Sequence, residues 1–367
     1  MDDYIGSIAE NNVSYIIQEV YNTNPGAQYQ KVMIFVGEAE ATNFFVGTPP
    51  VKNTGIEVNA KNYADLTEST LKTWLNDFFA GTEIATVWLV VWDDTSGETF
   101  SVDGLEAAYE AYKTKAYFKT VISATHESAI FVELCTLAIN DDLFTQCWLA
   151  TSDATVAIVA SVLAVANADA KIVYHSDSTR NPALVQLGIT LSSVNLATGF
   201  CVGNSLFFLK NIVIDASGTA IDNVGQNISA ALRATLEAAK VSFFTYIGDG
   251  TGSTAMEGNL TIRGKNAGAK WIEAFIEFVG TIKTAQKITE MNTWRNNDTY
   301  QAILLITQTL INQFVTLGRF QNAKITAPNF NNLPAGPSIT VPNAWIADFS
   351  DSVSQVAIYG TLNIAMP

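Results

Sequence analysis

Hydrophobic runs and helical hydrophobic patterns alternate along the first half of the chain. Residues 32–36 and 84–92 are continuous apolar runs of strand length, which is typical of strands buried on both faces. Between them, apolar residues recur at helical spacing over residues 66–79, and Gly81 ends that pattern. Residues 43–61 contain Thr48, Pro49 and Pro50 and are predicted to form a loop.

The same alternation continues to residue 174. Strands are predicted over residues 117–123, 146–150 and 171–174, and helices over residues 102–115, 128–139 and 154–166. Asp103 is predicted to cap the first of these helices, and Ser152 or Asp153 the third. Buried strands that alternate with amphipathic helices pair in parallel through right-handed crossovers, so the pattern predicts an α/β layer domain.

The last third of the chain has a different pattern. Helices are predicted over residues 230–241, 271–288 and 300–317, with a strand over residues 241–247 and a helix stop at Gly318. After an Asn- and Pro-rich segment, residues 339–365 show a period of two, which predicts two terminal strands. An unpaired strand with an apolar face is a template for intermolecular pairing, so this end is predicted to complete a sheet in a neighbouring subunit.

Together these patterns predict an α/β fold with two parts. A Rossmann-like α/β layer domain is expected at residues 25–205, and a C-terminal α+β domain at residues 206–337. Extended β-strand arms are expected at residues 1–24 and 338–367, where they would complete sheets between subunits. A chain of 367 residues that is 48% hydrophobic is long enough for two such domains.

Composition favours a globular and soluble chain. Only 15% of the residues are charged, no apolar run has the length needed to cross a bilayer, and the sequence begins with acidic residues, unlike a secretory signal. The chain is therefore expected to stay in the cytoplasm in which it is made. Cys135, Cys147 and Cys201 lie apart in apolar segments without C-x-x-C spacing, so core positions are favoured over metal or disulfide roles.

The negative charge is concentrated in one part of the sequence. Residues 1–240 carry 27 acidic and 12 basic side chains, a net charge of −15, whereas residues 241–367 carry eight of each. A strongly acidic surface repels nucleic acid, so no nucleic-acid partner is expected. Ordinary solubility explains the acidic part equally well. The sharper hypothesis is that the acidic part faces solvent and the neutral last third faces protein.

Polar residues follow four of the predicted strands, at the place where α/β enzymes bind ligands. They are Asp93 and Asp94, His126 and Glu127, Ser152 and Asp153, and His175 and Asp177. One interpretation is a carboxylate-rich metal site that includes the two histidines. Helix N-capping is the favoured interpretation, because Asp, Ser and Thr at these points satisfy the free amides of a first helical turn.

Other sequence motifs assign no chemistry. The Gly-rich residues 248–253 lack the Lys-Ser/Thr ending of a phosphate-binding loop and are predicted to form a flexible turn. The sequence contains no G-x-S-x-G, no H-E-x-x-H and no G-x-G-x-x-G at the start of a helix. It therefore indicates no catalytic residue, no metal ligand and no cofactor.

The order of these elements resembles the sheath proteins of contractile injection machines, which are phage tails and related bacterial devices. The resemblance covers most of the chain: an extended N-terminal segment, an α/β domain, the passage around Ile262, Arg263 and Gly264, an amphipathic helix, a helix that ends at Gly318, and two strands at the end. It is a similarity of arrangement rather than of a short motif.

The resemblance implies a structural subunit, not an enzyme, that stacks in six-fold rings around an inner tube in a virion tail assembled in the host bacterial cytoplasm. Its partners would be other copies of itself, the tube protein, and baseplate and terminator proteins, without insertion into a membrane. The implied inter-subunit arms contain Val13, Tyr15, Ile17, Val353, Val356, Ile358, Leu362 and Ile364. The candidate tube-facing residues are Arg263, Lys265, Lys270, Lys283 and Lys287, for which a solvated helix face is an equal alternative.

Two other functions remain open at this point. The first is a cytoplasmic enzyme on a Rossmann-like domain that acts through Asp93 or Asp153. The second is a non-contractile tail or baseplate component, which would form small oligomers of defined size rather than tubes.

Overall fold

The computed structural model describes residues 31–45, 51–63, 66–67, 69–81, 86–97, 99–123, 126–141, 145–191, 194–195, 200–201, 211–214, 225–246, 254–290, 297–316, 318–333 and 345–349. The strands within these residues are β1 Lys31–Gly37, β2 Thr54–Val58, β3 Thr86–Trp92, β4 Thr95–Ser96, β5 Thr99–Phe100, β6 Phe118–Ile122, β7 Gln146–Thr151, β8 Ala170–Tyr174, β9 Val194–Asn195, β10 Phe200–Cys201, β11 Asn211–Ile214, β12 Ser242–Tyr246, β13 Thr254–Glu257, β14 Phe320–Ile325 and β15 Trp345–Phe349.

The helices in the same part of the chain are α1 Glu38–Ala41, α2 Thr70–Gly81, α3 Asp103–Tyr112, α4 Glu127–Asn140, α5 Ala157–Leu163, α6 Pro182–Leu191, α7 Ala230–Ala238, α8 Ala267–Glu290 and α9 Asn297–Thr316. Short 3₁₀ turns lie at Lys113–Lys115 and Phe330–Asn332. None of the described helices is both long enough and apolar enough to span a membrane.

A mixed sheet of nine strands forms the centre of the molecule, in the order β11-β13-β12-β8-β7-β6-β1-β3-β2. The six strands from β12 to β3 in that order are parallel to one another. Strand β2 pairs antiparallel with β3 at one edge, and β13 and β11 continue the other edge in antiparallel register. The apolar residues 32–36 of β1 are completely buried, as expected for a strand covered on both faces.

Helices cover both faces of this sheet. Helices α3, α4, α5 and α7 pack on one face, in a core that contains Met33, Trp92 and Tyr109. Helices α2, α6 and α8 pack on the other face, in a core that contains Ile34 and Trp271. The sequence prediction of an α/β layer fold is confirmed, because amphipathic helices alternate with buried strands.

Helix α9 and the β14–β15 pair form a further layer outside α8. Phe314 of α9 lies edge-on to Phe275 of α8, with ring centroids 6.0 Å apart, and 5.6 Å from the ring of Phe320 in β14. Phe320 in turn lies 6.0 Å from Trp345 of β15. Gly318 ends α9 with φ +69°, the left-handed backbone conformation that glycine accepts readily, so the predicted helix stop is confirmed.

Two local predictions in the first third of the chain are wrong. Residues 43–61 were expected to be a loop, but Thr54–Val58 within them is the edge strand β2. A side chain at Gly55 would collide with the ring of Tyr112, so the glycine leaves room for that ring against the sheet edge. Asp103 does not cap α3: it is the first residue of that helix, and its backbone N–H donates to Ser101 Oγ at 3.1 Å.

The predicted boundary at residues 205 and 206 falls inside the region that supplies the large sheet. Strands β11, β12 and β13 come from beyond it, yet they join the sheet that begins with β1. The domain boundaries therefore stay a prediction. Cys135 and Cys147 are free and buried, which agrees with their predicted place in the core.

Candidate functional site

The carboxylates that follow the strands are occupied by local hydrogen bonds. Asp93 accepts from Lys52 Nζ at 2.8 Å, and these bonds together with those of Thr95 lower the pKa of the Asp93 carboxyl. Asp153 accepts from Thr155 and from the backbone N–H of Ala157, the first residue of α5, and both contacts lower its pKa. Asp153 thus satisfies one free amide at the start of α5, but the N-cap residue of this helix is Val156, so the predicted cap at Ser152 or Asp153 is wrong.

Two other carboxyl groups have raised pKa values because they are buried. Burial raises the pKa of Glu127 to about 7, and the nearby charge of Glu40 adds to the shift. Burial also raises the pKa of Asp77 to about 6, against the opposing charge of Arg180, which pairs with it at 2.7 Å. Glu127 begins α4, and four residues separate it from the end of β6, at the edge where α/β enzymes bind ligands.

The histidines do not assemble a metal centre with these groups. His126 is exposed and stacks on Phe100 with ring centroids 3.8 Å apart. His175 is buried, and its Nδ1 accepts from the backbone N–H of Asp177 at 3.1 Å. Within the described ranges, no three His, Cys, Asp or Glu side chains are placed to hold a metal ion.

Asp169 organises the passage that precedes α8. One of its carboxylate oxygens, Oδ2, accepts from Thr261 Oγ1 at 2.9 Å and from Lys270 Nζ at 3.3 Å. The other, Oδ1, accepts from the backbone N–H groups of Ala170 and Arg263. This carboxylate therefore ties the loop before α8 to the start of β8, and the sequence analysis did not identify it.

Arg263 and Lys270 take part in this attachment. The Arg263 guanidinium donates to the carbonyl oxygens of Val165 and Ala168, which follow α5. Lys270 forms an ion pair with Asp169. Two of the five candidate tube-facing cations thus have structural partners inside the subunit.

The other three candidates differ in the exposure of their side chains. Lys265 is exposed, and Lys283 and Lys287 on α8 are half-buried. Lys270 and Lys283 are separated by 13 positions of one helix, which corresponds to about 20 Å at a rise of 1.5 Å per residue. The structure therefore places the five cations in two groups near opposite ends of α8, not in one patch.

We expect Asp169→Asn to lower the free energy of unfolding by about 1–3 kcal/mol, because an amide nitrogen cannot accept from buried Thr261 or from Lys270. Asp298→Asn is the matched control: it makes the same change at an exposed position, where substitutions change stability little. Urea denaturation of both variants measures the difference. Equal stabilities would show that Asp169 does not hold the loop.

Strand β15 lies inside the predicted C-terminal arm, residues 338–367, and pairs with β14 of the same subunit. The two strands are antiparallel, with Phe320 opposite Phe349 and Ile325 opposite Trp345, and their register shifts between Gln321 and Lys324. Within the described residues this sheet contains no third strand. Two strands alone are marginally stable, so the pair depends on its packing against α9 and leaves outer edges for further strands.

The predicted arm residues lie outside the described part of the chain. This applies to Val13, Tyr15 and Ile17 and to all five predicted positions from Val353 to Ile364. Of the two terminal strands predicted over residues 339–365, the structure describes one, β15.

Comparison with solved structures shows a fold in common with a chain of the anti-feeding prophage baseplate, from a six-fold symmetrised cryo-EM structure. The TM-score is 0.63 at 9% identity, and the match covers 95% of this chain and 98% of that chain. A sheath tail protein from Listeria innocua, Lin1278, matches with a TM-score of 0.47 at 9% identity, over 89% and 92% of the two chains. Only the first match is close enough to establish a common fold. No family model and no curated protein matches the sequence.

Proposed function

We propose that the chain is a structural subunit of a contractile tail sheath. It polymerises as stacked hexameric rings around an inner tube, and contraction drives that tube through a target envelope. Support comes from the fold in common with a chain of a six-fold symmetrised injection-system baseplate, over nearly the whole length of both chains. The proposed role is structural and involves no catalytic step, nucleotide or metal.

The observation that carries this proposal is the two-stranded β14–β15 sheet. Its partner strands are proposed to come from neighbouring subunits, through arms at about residues 13–20 and 353–365. Main-chain hydrogen bonds of added strands supply affinity without a large side-chain interface. Strand exchange of this kind keeps subunits connected while each moves as a rigid body.

The proposed mechanism stores free energy in the lattice. The extended sheath is metastable, and contraction buries more surface between subunits while the arms hold neighbours together. Each subunit contributes a small free-energy difference, and many copies act together. The subunit is thus proposed to work as part of a virion tail that assembles in the host bacterial cytoplasm, with baseplate and terminator proteins at its ends.

An acidic inner tube is the proposed partner of the cations near α8. Lys265 and Lys283 are the stronger candidates, because Arg263 and Lys270 are engaged within the subunit. Charged contacts of this kind set orientation and association rate more than affinity. The acidic helices on the opposite face of the sheet would then face outward.

Deletion of residues 352–367 tests the proposal. We expect the full-length protein to form hollow, striated tubes in electron micrographs at high concentration, and the truncated protein to remain a folded, soluble monomer. A matched pair within the arm sharpens the test: Ile358→Pro removes a ladder donor and should block assembly, whereas Ile358→Thr keeps strand propensity and should permit it. Tubes formed by the truncated chain would contradict strand exchange.

A non-contractile baseplate component is the second proposal, and the fold in common with a baseplate chain favours it. In that case the full-length protein should form small rings of defined size and no long tubes under any salt condition. The enzyme alternative rests on Glu127 and the strand-end carboxylates. It would require a tightly bound ligand whose binding is lost in Asp93→Asn or Asp153→Asn.

A further inference from the structure

The outward face of α9 carries one charged side chain, the exposed Asp298 in its first turn. From Thr299 to Thr316 the helix has only apolar, amide and hydroxyl residues. Its exposed positions in that range are Gln301, Leu305, Thr309, Asn312, Val315 and Thr316. Leu305 is 66% exposed and Val315 is 41% exposed, and they are two of the five large apolar side chains that stand out at the described surface.

This face lies on the side of the sheet whose helices carry the smaller net charge. The helices on the opposite face of the sheet, α3, α4, α5 and α7, carry six acidic residues and one basic residue. The helices on the α9 side, α2, α6, α8 and α9, carry five acidic and four basic residues. The net charge of −15 is thus distributed unevenly between the two faces of the sheet.

Charge decides which surfaces of two copies can approach each other. Acidic helices brought together repel, and juxtaposed like charges suppress a contact. The outward face of α9 adds little such repulsion because Asp298 is its one charged side chain, and burial of Leu305 removes apolar surface from water. Copies of this chain can therefore meet at α9 more readily than at α3 or α4.

The size of the face restricts its partner further. Twenty helical residues span about 30 Å, and a face about 10 Å wide gives roughly 300 Å², well below the roughly 800 Å² per partner of a stable interface. A freely diffusing protein would gain little affinity from so small a contact. A partner already tethered at another point is held at high effective concentration, so a weak contact becomes significant.

We propose that the outward face of α9, centred on Leu305, packs against a second copy of this chain within the assembled sheath. This inference rests on the proposed function, in which the arms supply the tether. The contact adds to the strand exchange in each repeat and is too small to hold an isolated dimer. It assigns a specific surface to subunit association, in addition to the arms.

The test compares Leu305→Glu with Leu163→Glu. Leu163, at the end of α5 on the acidic face, is also exposed, at 39%, so both variants add the same charge to an exposed leucine. Both should keep the melting temperature of the full-length protein, because substitutions at such surface positions change stability little. Sedimentation and electron microscopy then measure the polymerised fraction at equal concentration and salt.

We expect Leu305→Glu to reduce the polymerised fraction at least tenfold, and Leu163→Glu to polymerise like the unmodified protein. If the unmodified protein and both variants form tubes equally, this inference is wrong and the proposed function stands. If Leu305→Glu forms tubes but no longer binds the inner tube protein, the face belongs to the tube contact, and the inference is overturned. If the unmodified protein forms no tubes, the proposed function fails, and this inference with it.

Discussion

Replacement of Lys119 by methionine should lower the free energy of unfolding by about 3–5 kcal/mol, because it leaves a buried carboxylate without its cation. Lys119 lies in the centre of the sheet with no exposed surface. Its Nζ donates to Thr145 Oγ1 at 2.6 Å and lies 3.8 Å from Asp141 Oδ2. The Tyr109 hydroxyl and the Thr145 hydroxyl donate to the same carboxylate oxygen.

This network explains why the lysine is retained in a hydrophobic strand. Burial lowers the pKa of Lys119 and the charge of Asp141 opposes that shift, while burial and Asp141 together raise the pKa of Tyr109. Removal of the lysine leaves the charge of Asp141 uncompensated in a buried environment of low polarity. Chemical denaturation of Lys119→Met measures the effect, with exposed Lys61→Met as the control that should change little. Equal stabilities of the two variants would show that the ion pair contributes nothing.

Replacement of Lys171 by methionine should have the opposite sign and raise the free energy of unfolding by about 2–3 kcal/mol at pH 7. Lys171 is 1% exposed, and in the described part of the chain no carboxylate forms an ion pair with it. Its Nζ donates to Ser242 Oγ at 2.7 Å and lies 5.4 Å from the centre of the Trp148 ring. Burial lowers the pKa of Lys171 to about 7.

The size and pH dependence of this effect follow from linkage. One pKa unit is worth about 1.4 kcal/mol, so the depression from 10.5 costs on the order of 4 kcal/mol at pH 7. Lys171→Met removes this cost and is stabilised by that amount. The variant also loses the hydrogen bond to Ser242, which offsets about 1–2 kcal/mol of the stabilisation. Between pH 7 and 10.5 the unfolded chain binds more protons at this residue than the folded chain. The contribution of Lys171 therefore makes stability rise with pH in that window.

Denaturation of both proteins at several pH values between 7 and 10 tests this account. The unmodified protein should gain stability relative to Lys171→Met as the pH rises, so that the difference between them narrows. A Lys171→Met variant that is destabilised at pH 7, or a difference that does not depend on pH, would contradict the assignment. Within one sheet, two buried lysines are thus expected to respond in opposite directions to the same substitution.

Elements with a strong local pattern were predicted well. The apolar strand β1 and the amphipathic helix α8 were both identified from periodicity, and Gly318 gave the end of α9. Helix α6 was missed because its sequence, from Pro182 to Leu191, contains no charged residue and has no polar side to mark a helical period. Gly188 allows α6 to approach α2 closely, since a side chain there would collide with the Phe78 carbonyl.

The residues of the candidate site were also identified only where a local pattern marks them. Arg263 and Lys270 were identified as cations near α8, but their partner Asp169 lies about a hundred positions earlier in the sequence. No local pattern indicates a contact over that separation. Likewise, Lys119 and Lys171 have similar sequence surroundings, and only the packing of α3, α4 and β12 gives one of them a carboxylate and the other a hydroxyl.

The sequence by itself determined which segments become helices and buried strands, because hydrophobic period and helix-stop residues act over a few positions. It also determined the concentration of acidic residues in the first 240 positions. The tertiary structure decided the order of the nine strands, the joining of β11, β12 and β13 to the first sheet, and which residues form the outer face of α9. Strand pairing and burial depend on segments far apart in the chain, so they are fixed only when those segments pack together.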